Sequence, residues 1–204
     1  MNELPLILSL VLFLALLVAG MKVPFAIAIP GMVYVAMTDG FGFLRSLGVV
    51  TWGSMNAYTL TAVPLFVLLA EIVLRSGLGL RMYRGLAQLL RLLPGGLLQV
   101  NIVGCGIFSA ISGSSIATAA SVTGVSIPEL KRRGYDWRMS LGSLAAGGAL
   151  GNLIPPSIIM IIYASFTDTS VSKLFIASVI PGIVLMLMFM AYIAFRAMTG
   201  NIVP

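Results

Sequence analysis

The chain has 204 residues, 59% of them hydrophobic and 9% charged, with a mean hydropathy of +1.09; soluble domains carry about 25% charged residues, so the composition describes an integral membrane protein. The apolar residues come in long blocks rather than in alternation, which excludes a β-barrel and predicts an all-α fold. The absence of histidine and the single cysteine, Cys105, exclude imidazole catalysis, an internal disulfide framework and a Cys- or His-rich metal site, and the net charge of +6 reads as the lysines and arginines of cytoplasmic loops rather than as a nucleic-acid surface.

Residues 4–20 form the first predicted span. A signal peptide needs a positive start, whereas the early charge here is Glu3 and Lys22 follows the run, so the segment reads as a retained span. Residues 23–38 are a marginal second span, ended by an Asp39-Gly40 turn. Residues 41–58 mix apolar residues with Arg45, Ser46, Thr51, Ser54 and Asn56, and fit a segment that lies on the membrane or dips into it. Residues 60–74 span again, with Glu71 and Arg75 four apart on one helical face. Residues 79–93 are amphipathic, with Arg81, Arg84, Gln88 and Arg91 at steps of three and four, as in a basic helix at headgroup level.

From Leu92 to Pro128 no residue is charged. Glu129-Leu-Lys-Arg-Arg then closes the stretch. A second uncharged segment runs from Met139 to Thr167 and is interrupted by Pro155-Pro156. A short connector with Lys173 leads to a last span over 178–195. The expected organisation is thus 1–75 (first spans, with 41–58 interfacial), 76–93 (basic surface helix), 94–133 (hairpin), 137–168 (discontinuous helix) and 169–204 (connector and last span).

With the N-terminus outside, ten of the twelve Lys and Arg residues fall inside, leaving Arg45 and Lys173 outside; the opposite orientation inverts that bias, so a periplasmic N-terminus is expected. Arg91 and Lys131 then lie on the same side, and the segment between them crosses twice or re-enters. Charge does not separate these options. The small polar cluster Ser109, Ser112, Gly113, Ser114, Ser115, Thr118 and Ser121 favours a re-entrant tip, because bent backbone at membrane depth must be buried in protein or line a wet cavity and glycine permits the turn.

The second segment poses the same problem. Two prolines lack N–H donors and push the preceding residue out of helical geometry, so the helix is expected to unwind across 151–156 and restart with Pro156 or Ser157 in its first turn. Gly147, Gly148 and Gly151 are also explained by close helix packing; Asn152 and the prolines are not. Each break offers free carbonyls and free N–H groups. Neutral oxygens suit a hard monovalent cation such as Na⁺, and helix N-termini suit a carboxylate. Paired interrupted helices point to a transporter site at mid-membrane.

The stretches FSAISGSSIATAASVTGVSIPELKRRGYD (from Phe108), AAGGALGNLIPPSIIMIIYA (from Ala145) and AVPLFVLLAEIVLRSG (from Ala62) closely resemble the large membrane subunit of tripartite ATP-independent periplasmic (TRAP) transporters, the DctM-like permeases. The resemblance implies a polytopic helical bundle with one re-entrant hairpin and one Pro-broken helix, forming one repeat of an inverted-repeat elevator. It also implies a multi-pass location in the bacterial inner membrane and Na⁺-coupled import of organic acids. The implied partners are a small TRAP membrane subunit, a periplasmic substrate-binding protein and membrane lipid. Carried over by motif, the sodium site uses Ser112 and Ser115 with Gly151, Ile154 and Pro156, the last three through carbonyls. The carboxylate substrate sits near Ser114, Thr118 and Asn152. No other cofactor is implied. The family's large subunit is longer and holds two such repeats. One is found here, so the chain is expected to be an N-terminal half, completed by a second half if the chain is split.

Two other readings compete with this one. Ser112-Gly113-Ser114-Ser115 evokes a serine hydrolase, but no histidine is available and Lys131 is expected at the surface, so no catalytic residue is assigned and the chain is not read as an enzyme. A half-length scaffold without transport of its own is the alternative function.

Overall fold

The computed structural model describes residues 3–38, 40, 42–90 and 92–200, with the side chains of 43–45 excepted. Asp39, Arg91 and the Arg45 side chain, used above for a turn and for charge counting, lie outside the described residues. Among those described there are ten α-helices and no strand. The chain forms two compact units, Met1–Asn56 and Ala57–Pro204.

In the first unit, α1 (Glu3–Val18) and α2 (Val23–Thr38) pack on each other. Gly20 turns the chain between them at φ +77°, and the Met21 and Gly20 N–H groups donate to the Leu16 and Leu17 carbonyls, a Schellman closure that needs a left-handed residue. α3 (Phe43–Met55) follows. At 13 residues it is about 20 Å long, too short to cross the hydrocarbon core.

The second unit is built around a helical hairpin. A 3-10 turn (Tyr58–Thr61) leads into α4 (Ala62–Arg75), where Arg75 Nε meets Glu71 Oε1 at 2.6 Å as their spacing predicts. The basic amphipathic helix is α5 (Leu78–Leu89). The hairpin arms are α6 (Leu97–Ser112) and α7 (Ser115–Arg132). A second Schellman closure ends α7, with Gly134 at φ +73° and the Gly134 and Tyr135 N–H groups returned to Lys131 and Leu130. Asp136 then caps α8 (Trp137–Ala149) by accepting the Met139 N–H at 2.8 Å.

The helix breaks where the prolines stand. A 3-10 turn (Leu150–Asn152) precedes irregular backbone, and α9 (Ile158–Thr167) restarts with Ser157 at the N-cap. Both prolines therefore precede the cap rather than entering the first turn, because Ser157 itself is extended at φ −110°, ψ 129°. Nor is every carbonyl before the break freed, since the Leu153 and Ile154 N–H groups both return to Leu150. The connector is also shorter than expected. α10 (Val171–Thr199) takes in Lys173 and Pro181 and runs 29 residues, about 43 Å, longer than the roughly 30 Å hydrocarbon core.

Polarity is distributed inside out in this unit. Gln99, Asn101, Ser109, Ser112, Thr118, Ser126, Ser140 and Ser157 are buried, while Ile176 and Ile180 on α10 are 74% and 72% exposed. Water would drive the reverse arrangement. A lipid solvent tolerates outward Ile and Phe and demands that polar groups be gathered inward.

Candidate functional site at the hairpin tip and the helix break

The hairpin tip follows from two residues. Gly113 takes φ +62° and returns its N–H to the Ser109 carbonyl at 2.9 Å, ending α6. Ser114 is extended and starts α7, its carbonyl accepting the Thr118 N–H at 3.0 Å and its hydroxyl reaching the Ala117 N–H at a long 3.4 Å. Ser112 is fully buried, and its Oγ lies 2.9 Å from Thr118 Oγ1.

The break follows from the proline pair. In a continuous helix the Gly151 and Asn152 carbonyls would accept from residues 155 and 156, and both of those are prolines without an N–H. The double proline thus removes the two donors that these two oxygens need.

Tip and break meet directly. The Ile158 N–H, the first of α9, donates to the Gly113 carbonyl at 3.1 Å. A Cβ added to Gly113 would stand 2.5 Å from the Pro156 carbonyl oxygen, and one added to Gly151 would stand 2.6 Å from Ser115 Cα and 2.7 Å from Ser115 N. These glycines allow backbone to touch backbone. Gly147 and Gly148 instead make room for side chains one turn earlier, where added Cβ atoms would meet the Cys105 and Ala119 side chains at 2.8 Å. Close packing and an interrupted helix are therefore both properties of this segment.

The structure brings Ser112, Ser114, Ser115, Gly151 and Pro156 into one junction. Thr118 lies behind Ser112, fully buried. Asn152 is exposed. The Ile154 side chain is directed away, between Gly106 of α6 and Gly182 of α10, whose added Cβ atoms would meet it at 3.5 and 3.2 Å. Among the described residues no cluster of His, Cys, Asp or Glu could hold a metal ion, so any cation at this junction meets hydroxyls and carbonyls alone.

Residue-by-residue reading missed two features. Ser157 Oγ is buried at the break without a hydrogen-bond partner, and Ser109 Oγ is likewise unpartnered on the last turn of α6; the signal for Ser157 was its place before an apolar run and after two prolines. The second feature ties the base of the hairpin together. Tyr83 Oη donates to Asn101 Oδ1 at 3.1 Å, and Asn101 Nδ2 donates to Ser143 Oγ at 2.8 Å, joining α5, α6 and α8. Gln99 Nε2 donates to the Pro94 and Met190 carbonyls, both at 2.9 Å, which fastens α10 to the same base. Asn101 and Gln99 stand out as amides inside an apolar run, but their partners are set by packing.

Comparison with known proteins agrees with this architecture. Residues 10–204 match the family described as "Tripartite ATP-independent periplasmic transporter, DctM component". The C4-dicarboxylate TRAP transporter large permease protein DctM of Pseudomonas aeruginosa is 39% identical over 150 residues, covering 74% of this chain and 35% of that protein. Its counterpart in Vibrio cholerae is 30% identical, covering 91% of this chain and 42% of the relative. The sialic acid TRAP transporter large permease protein SiaM of Vibrio cholerae is 32% identical, covering 88% and 42%. The chain spans less than half the length of these relatives. The match along nearly its whole length shows that the chain belongs to the DctM component family of the tripartite ATP-independent periplasmic transporters.

Proposed function

We propose that this chain supplies one repeat of a Na⁺-coupled importer of organic acids in the bacterial inner membrane, with its N-terminus in the periplasm. The observation that carries the reading is the backbone contact between an uncharged hairpin tip and an uncharged helix break. The Ser112 and Ser115 hydroxyls would hold Na⁺ together with the carbonyls of Gly151, Ile154 and Pro156. The Gly151 carbonyl loses its helical donor to Pro155, and an oxygen without a donor is what a hard cation needs. The buried, unpartnered Ser157 hydroxyl is a further oxygen at the break. A carboxylate would lie against the N-terminal ends of α7 and α9, where helix dipoles favour negative charge, near Ser114 and Asn152, with Thr118 holding Ser112 in place.

The relatives named for C4-dicarboxylates and sialic acid support a carboxylate substrate class. A small membrane subunit, a periplasmic binding protein that delivers the substrate, and a second repeat would complete the machine. An elevator-type movement of the hairpin and the broken helix would carry the substrate across.

The test is thermal unfolding of the purified protein in Na⁺ against K⁺ at equal ionic strength. Na⁺ should raise the midpoint of the native chain, and Ser112→Ala and Ser115→Ala should each reduce the rise. A native chain indifferent to Na⁺ would remove the proposed site and favour the scaffold role.

A further inference from the structure

A second concavity lies away from the tip, at the base of the hairpin. It has a volume of about 610 Å³ and opens between α5 and the last turns of α7, within the size range of about 300–1,000 Å³ typical of small-molecule sites. Its lining combines basic residues, Arg84, Arg132 and Arg133, with apolar ones, Leu80, Ala87, Leu97 and Val125. Glu129 is the one carboxylate in the lining, so the groove carries a net charge of +2 (three arginines less one glutamate).

Glu129 does not cancel the basic wall. Its Oε1 takes Arg132 Nη2 at 2.8 Å and Arg133 Nε at 2.7 Å. A guanidinium has five donors, so each arginine keeps four, and the carboxylate fixes their direction. The two side chains remain 73% and 54% exposed. Tyr83, at the inner end of the groove, is buried and held by Asn101, which keeps α5 against the hairpin. This wall is therefore anchored to the protein interior.

We propose that this groove is a binding site for an anionic phospholipid, with the phosphate on Arg84, Arg132 and Arg133 and an acyl chain along Leu80, Ala87, Leu97 and Val125. Basic charge alone would suit any anion. The apolar lining residues beside the arginines, together with the expected place of α5 at headgroup level, select an amphiphile. The site shares no residue with the proposed ion site, so it stands or falls independently of Na⁺ coupling. It would tie α5 to the hairpin through lipid, making the stability of that contact depend on leaflet composition.

The experiment uses the full chain purified in non-ionic detergent, with lipid binding read by native mass spectrometry and by unfolding temperature. The probes are phosphatidylglycerol, phosphatidylcholine and inorganic phosphate at matched concentrations. Phosphatidylglycerol should bind and raise the unfolding temperature, and the other two should not. Each of Arg84→Gln, Arg132→Gln and Arg133→Gln should weaken phosphatidylglycerol about fivefold, since each basic residue near a charged lipid surface contributes about 1 kcal/mol. The Arg84→Gln/Arg132→Gln/Arg133→Gln triple should abolish binding, whereas replacing Arg81, Lys131 and Arg138, which lie outside the groove, with Gln removes equal charge and should leave binding intact. Ala87→Trp fills the apolar wall with every charge retained and should abolish lipid binding. Equal stabilisation by inorganic phosphate would make this a free-anion site and overturn the proposal. Equal retention of phosphatidylcholine, or equal losses in the groove and control triples, would overturn it too.

Discussion

Gly151→Ala is the sharpest perturbation of the proposed ion site. The new methyl would lie 2.6 Å from Ser115 Cα and 2.7 Å from Ser115 N, whereas carbon atoms rest about 3.5–4.0 Å apart. The shortfall is about 1 Å. Both partners are backbone, so no side-chain rotation relieves it, and the tip must retreat from the break. Overpacking of this kind costs about 1–3 kcal/mol, which corresponds to about a 5- to 140-fold weakening of any ligand that bridges the two segments. Gly142→Ala is the matched control. It lies on the preceding helix, α8, with no atom within 4 Å of the added carbon, and should leave stability unchanged or raise it by about 0.5–1 kcal/mol. The assay is a Na⁺ titration followed by thermal unfolding. If Gly151→Ala keeps the native Na⁺ response, the contact between tip and break does not form the site. If Gly142→Ala is equally damaging, general helix sensitivity explains the effect.

Gly113→Ala should destabilise the protein by at least about 1–2 kcal/mol, the cost of a left-handed backbone for an L-residue, and should speed hydrogen exchange at the Ile158 amide, which Gly113 now protects; unchanged exchange would contradict the link. Asn101→Ala should cost about 1–3 kcal/mol by stranding the buried Tyr83 hydroxyl, and the Tyr83→Phe/Asn101→Ala double variant should cost less than the sum of the singles; strict additivity would deny the network. At the end of α7, the guanidinium of Arg133, then that of Arg132, hold the Glu129 carboxyl below its ordinary value. A depressed carboxyl contributes stability above its ordinary range and loses it as pH falls through the lowered value. Glu129→Gln should flatten that acid-side slope and barely change stability at neutral pH, as expected of an exposed pair; an unaltered slope would place the titration elsewhere.

The tip and the break were legible because both rest on backbone rules that operate within a few residues. Glycine at 113 permits the left-handed turn, and prolines at 155 and 156 remove two particular donors. The restart of α9 was less legible, because whether Ser157 enters the helix or caps it depends on where the Ile158 amide finds its acceptor, and that acceptor, Gly113, is distant in sequence. The start of α10 was misplaced because a charged residue reads as a loop, yet Lys173 is exposed in the first turn of the helix, where a long side chain reaches the polar layer. The links from Tyr83 to Asn101 to Ser143 had no local signature. Periodicity marks Tyr83 as one of the apolar positions of α5, but only packing decides that its hydroxyl meets an amide.

If the junction binds cargo as proposed, the hydrogen bond from Ile158 to Gly113 limits how that cargo is let go. Prising the two segments apart would leave an amide and a carbonyl without partners, at several kcal/mol each wherever water cannot reach them. A cradle fastened in this way has no door of its own. On the proposed function, loading and discharge would come from carrying the cradle whole past a fixed wall, or from shifting that wall, and mutations that slow either step should be sought outside the cradle.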